Sequence, residues 1–189
     1  MRYTFLMSHD NPPIRSHHAP SEHDPKQKQE VLRERFLRGE MSVEVLRSEI
    51  FKLDQQGDHT EQADANIQLL EDPDVAKRIL AHTSSEVVRV YHRMLSISYF
   101  HRGQRNTSAE DFAKAHIHAM ENQEDESYRF WVAYTRGTDA YFKRDETALE
   151  RAVADSAAGR NREILVNLLA SLKAGDSPES SYRRVYALP

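Results

Sequence analysis

Histidine is the side chain best suited to acid–base chemistry near neutral pH, and ten occur among the 189 residues. His116 and His118 invite a metal-binding reading. Two residues along a helix, however, turn side chains about 200° apart, so this pair cannot share one ion. His116 falls in line with Phe112 and Met120 on an apolar stripe and is expected to be a hydrogen-bonded core or interface histidine, whereas His118 is expected to point to solvent. His9, His17, His18 and His23 lie in the first 25 residues beside four of the seven prolines. With no thiolate or carboxylate at a defined helical spacing, they read as a solvated tract rather than a built metal site. Protonating all ten would turn the net charge from −4 to +6. Surface charge and self-association are therefore expected to change between about pH 7.5 and 5.5, with His92, His101 and His118 among the titrating groups.

Charge is patterned along the chain even though 26 basic and 30 acidic residues nearly cancel. Asp54 to Asp74 holds seven carboxylates and no lysine or arginine; Lys77 to Arg105 holds six basic residues against Glu86 alone; a second acidic zone runs from Glu110 to Glu126. Neighbouring helices could lay acidic against basic faces for a modest gain. Alternatively, Arg89, His92, Arg93, Arg102 and Arg105 form a docking patch for an acidic protein partner. Nucleic acid is not expected there, because the zone is short and carries no helix-turn-helix or RNA-module signature.

A third group is aromatic. Over residues 126–143, Phe130, Trp131, Tyr134, Thr138, Tyr141 and Phe142 share one broad helical face that includes the only tryptophan. Trp131, Tyr134 and Tyr141 could line a partner groove, since such residues dominate interface hot spots. A core-facing helix shows the same stripe, and the core is the preferred reading.

Catalytic signatures are missing: no Gly-rich phosphate loop, His-Glu-x-x-His, Gly-x-Ser-x-Gly, EF-hand loop or dinucleotide fingerprint occurs. The lack of cysteine excludes disulfides and thiolate chemistry and fits a reducing compartment. No cofactor is expected. A catalytic pair of carboxylates drawn from distant helices stays open.

The elements that must carry these residues are helical. A mean hydropathy of −0.76 suits helices with one buried face. Between Pro73 and Pro178 no proline interrupts the chain. Gly39, Gly57, Gly103, Gly159 and Gly175 each follow a helix-periodic segment, where a left-handed stop residue is wanted. Ser42, Asp72-Pro73, Thr83 with Glu86, Thr107 with Glu110, and Ser177-Pro178 supply starts. These signals predict helices over 26–38, 42–56, 60–71, 73–82, 84–102, 108–122, 126–143, 146–158, 161–174 and 178–186. Residues 1–25 read as a disordered or loosely docked tail, and 26–189 as a single helical domain. No apolar run approaches a secretory or membrane-spanning length, so a cytoplasmic protein is expected.

Within this all-α pattern, Leu95-Ser96-x-x-Tyr99…Ser108-x-x-x-Phe112-x-x-Ala115 resembles a tetratricopeptide helix pair. There, small residues permit close helix approach and aromatic ones fill the groove beside them. A second copy, Gly137-x-x-Ala140-Tyr141…Leu149-x-x-x-Val153-x-x-Ser156, is displaced by 41 residues. The family period is about 34, and a HEAT-like or irregular helical array accommodates that displacement equally. The resemblance covers about 90–158, inside a repeat-like part at 84–174. It implies antiparallel helix pairs stacked as a short α-solenoid, or an irregular bundle, with a concave surface that receives a protein or peptide. The expected function is accordingly a non-catalytic interaction or regulatory adaptor. A small helical enzyme with a polar pocket and a self-associating structural subunit are the alternatives.

Overall fold

The computed structural model describes residues 25–56 and 59–186, so the amino-terminal tail and the stop signal at Gly57 fall outside it. Ten helices follow one another: α1 (Pro25–Leu37), α2 (Val43–Gln56), α3 (His59–Leu70), α4 (Pro73–Leu80), α5 (Ser85–Asn106), α6 (Ala109–Met120), α7 (Arg129–Phe142), α8 (Glu146–Asp155), α9 (Arg160–Lys173) and α10 (Pro178–Tyr186). Among the described residues there is no strand. Consecutive helices α5 to α9 pack each on the next, α1 also rests on α3, α3 on α5, and α7 on α9. One continuous core results, running from Leu32 and Phe36 in α1 to Tyr182 and Val185 in α10.

Several start signals act as read. The Asp72 carboxylate accepts from the backbone N–H groups of Asp74 and Val75, both at 3.1 Å, with Pro73 at the first helical position. The Ser42 hydroxyl accepts from Val45 at 3.3 Å. Two starts move by one residue. Ser108, rather than Thr107, caps α6 by accepting from the Asp111 N–H at 3.2 Å, and Ser84 takes the place of Thr83 before α5 without a side-chain cap bond. Asp145 caps α8 by accepting from Ala148 at 2.9 Å.

The stops diverge more. Gly39 and Gly175 have φ of 81° and 80°, the left-handed conformation expected of them. Gly103 instead lies inside α5, which continues to Asn106, and the left-handed stop is Thr107 at φ 53°. Gly103 is tightly placed there: a Cβ would lie 3.0 Å from the Phe112 ring, which would have to shift slightly. Gly159 precedes α9 rather than closing α8, whose cap is Ser156. Arg144, at φ 56°, ends α7 with no glycine to announce it.

The small positions singled out in sequence lie where helices meet. Ser96 is fully buried, and its hydroxyl donates to the Ala115 carbonyl at 2.8 Å, joining α5 to α6. A Cβ at Gly137 would sit 2.6 Å from Leu165 and 2.9 Å from Ala152, so α7, α8 and α9 converge on that backbone.

Candidate binding surface

Every arginine of the predicted basic patch is engaged by a carboxylate of the same chain. Arg89 pairs with Glu86 at 2.8 Å. Arg93 donates to Asn122 at 2.8 Å and to Asp125, and its guanidinium lies 5.1 Å from the Tyr128 ring centre, which fastens the α6–α7 connection to α5. Arg102 forms a two-pronged bond with Asp111, at 2.7 and 3.1 Å, and reaches Asp64 at 3.7 Å. Arg105 pairs with Asp64. The acidic zones thus supply partners for the basic one, α3 from one side and the α6 region from the other. Tyr99 sits at the middle of this belt: Arg102 and Lys114 lie 4.9 and 5.3 Å from its ring centre. Its hydroxyl donates to Glu71, and burial with that nearby carboxylate pushes its pKa well up.

His118 does not face solvent. Its ring is half-buried against α5, stacked on Tyr99 at 5.8 Å, and its Nδ1 is 3.0 Å from Nδ1 of His92. The exposed position on that part of α6 is Ile117. Burial lowers the pKa of both imidazoles, and for His118 the proximity of His92 adds to it. His116 turns the other way, toward Arg136, Asp139 and Lys143 of the α7 region, as the 200° separation requires. Its Nδ1 is buried without a hydrogen-bond partner, and burial lowers its pKa too. Among the described residues no group of three or more histidines or carboxylates is placed to hold a metal ion.

The aromatic stripe of α7 turns into the core. Tyr134 and Tyr141 are 3% and 0% exposed, and Phe100 packs against both Trp131 and Tyr134. The Tyr141 hydroxyl bonds Ser181 at 2.8 Å and Ser171 at 3.2 Å. Trp131 is half-buried, and its indole N–H donates to the Ser96 hydroxyl at 2.8 Å. Phe130 alone of this group stands at the surface, 38% exposed.

The opposite flank of α7 faces a cleft. Arg129, Val132, Ala133 and Arg136 recur at helical spacing, centred roughly 140° from Tyr134 and Tyr141. With Met120 and Gln123 from the end of α6, and Ala154 and Asp155 from α8, they enclose about 500 Å³. Arg136 pairs with Asp155 across it, and its Nε is buried without a partner. Sequence reasoning missed this cleft because its residues fall between the aromatic ones in α7, and because Met120 reads as an ordinary residue of the Phe112 stripe.

No protein-family model matches the chain, and no curated protein or solved structure matches it. Among the described residues no helix is long and apolar enough to cross a membrane.

Proposed function

We propose that the chain is an adaptor or regulatory protein in which helix pairs, stacked in a tetratricopeptide-like array, present the α6–α7–α8 cleft to a protein or peptide. The observation that carries this is the cleft itself: about 500 Å³ of open space, lined by Met120, Val132 and Ala133 together with Arg129, Arg136 and Asp155, on a helix whose other face is spent on the core. The buried small residues Ser96 and Gly137 support the stacked-pair arrangement, since each lies at a close approach between helices. Arg93, Arg102 and Arg105 tie α5 to its neighbours in this scheme while Arg89 pairs within α5, and a partner would reach the four only by displacing the chain's own carboxylates.

Ala154 is exposed on the cleft wall, so Ala154→Trp fills the space without entering the core. Affinity capture with the parent chain and with Ala154→Trp is the test. One protein recovered in stoichiometric amount with the parent and lost from the variant supports the reading. A partner held equally by both removes the cleft as the site, and recovery of the parent alone removes the adaptor.

A second reading, a small helical enzyme, is favoured by one arrangement: His92, His118, Tyr99 and Glu71 form a run of titratable groups across α5, α6 and the turn that follows α3. Its test is a substrate-class screen of the parent against His118→Gln, in which a turnover abolished by the substitution would establish it.

A further inference from the structure

We infer that the occupant of the α7 flank is an acidic peptide segment, an apolar side chain flanked by Asp or Glu residues; this rests on the cleft reading above. A second hollow of about 310 Å³ is lined by Phe130, Arg160 and the chain from Ser156 to Gly159, and its lining residues neighbour those of the first in sequence. Consecutive residues line the two on both sides, Arg129 and Phe130 on one, Asp155 and Ser156 on the other. The Arg129 guanidinium lies 4.8 Å from the Phe130 ring centre, bridging them. Together they make a strip with apolar ground at Met120, Val132 and Phe130.

The charge on this strip is one-sided. Three guanidiniums border it, Arg129, Arg136 and Arg160, and Asp155 is the one carboxylate among the lining residues. These arginines are satisfied less fully than those of α5. Among the described residues the one carboxylate paired with Arg129 is Glu126, at 3.7 Å, and it is 87% exposed. Arg136 bonds Asp155 but leaves its Nε unpartnered, and Arg160, exposed on the second hollow, has Tyr134 rather than a carboxylate as its electrostatic neighbour among the described residues. Guanidiniums beside an apolar floor are suited to carboxylates, which they bind in a two-pronged geometry with water partly excluded. The net charge of −4 opposes long-range attraction of an acidic chain, so selection must occur at contact, through the apolar anchor and the arginines together.

The experiment is selection of random 12-residue phage-displayed peptides on the intact protein, followed by affinity measurements on the parent and on Arg129→Glu/Arg160→Glu. Both substituted side chains are exposed, and circular dichroism with a thermal melt checks that the variant is folded; Arg129→Gln/Arg160→Gln replaces it if not. The expected result is enrichment of Leu or Phe flanked by Asp or Glu, with affinity weakened about tenfold or more by the double substitution and lost on Ala154→Trp. Enrichment of neutral or basic peptides that are blocked by Ala154→Trp would overturn the acidic chemistry and leave the cleft reading standing. An arginine-dependent preference for a single-stranded oligonucleotide over every selected peptide would overturn the peptide occupant. No enriched peptide at all, or binding indifferent to Ala154→Trp, would overturn the cleft reading and this inference with it.

Discussion

His92 and His118 meet with their Nδ1 atoms 3.0 Å apart, a distance at which one neutral ring donates and the other accepts, while two protonated rings would repel. Burial already disfavours the charged forms, Lys114 adds to this at His118, and Glu71 and Glu121 oppose it. Both folded pKa values therefore lie below the unfolded value of about 6.5. The unfolded chain takes up protons first, so stability is fully present above about pH 6.5 and is lost as the pH falls toward the folded values. Urea unfolding is expected to show a midpoint that declines between about pH 7 and 5, and His92→Gln/His118→Gln is expected to flatten part of that decline, leaving the share of His116. A midpoint equally steep in the double variant would dismiss the pair as its source. A second consequence concerns Asp111, whose carboxylate is 8% exposed. Asp111→Ala strips Arg102 of its two-pronged partner and is expected to cost about 2 kcal/mol, measured by chemical denaturation, with a double-mutant cycle against Arg102→Met assigning most of it to the pair. The alternation of acidic and basic zones was legible in the order of residues. Which carboxylate answers which arginine was not, because Asp64 and Arg105 are brought together by the packing of α3 on α5, across 41 positions of chain.

At the level of helices, the start and stop signals, read with the periodic stripes that several segments carry, placed all ten elements, since a buried face repeats every three to four residues whatever it packs against. The ends were less legible. Backbone geometry at Thr107 and Arg144 is imposed by neighbours that hold the next helix in place, and a threonine or arginine gives no local sign of accepting it. Gly103 was misleading for the converse reason: what it accommodates is the Phe112 ring, a feature of the partner helix. The cleft escaped for a similar cause, because an open space is a property of three helices and of no single stripe. Gly137 offers a direct test of the packing. Gly137→Ala pushes a methyl group against Ala152 and Leu165 and is expected to cost about 1–3 kcal/mol despite the better helix propensity of alanine. Gly137→Ala/Ala152→Gly is expected to recover part of that loss in thermal melts, which a purely local helix effect would not do.

Across the whole molecule, the last helix ties distant parts of the chain together. Tyr182 of α10 is 1% exposed, with its ring centre 5.0 Å from Phe112 and 5.3 Å from Phe142. The neighbouring Arg183 donates to Thr107 at 3.0 Å and to the Arg105 carbonyl. The turn between α5 and α6 is thus held by a helix some 76 residues later. Tyr182→Ala is expected to lower stability by about 3–5 kcal/mol and to do so in a single transition, because the cavity opens into the shared core. Two separate transitions would show instead that the carboxy-terminal helices melt on their own. The hydrogen bond from Trp131 to Ser96 makes the molecule its own optical probe. Its sole indole is moored to the junction of α5, α6 and α7, beside Phe130 on the rim of the strip, so emission excited at the red edge of the tyrosine band reports that junction alone. A shift in colour on adding a peptide would register occupancy without any label, and loss of the moored signal during unfolding would time the parting of the helices.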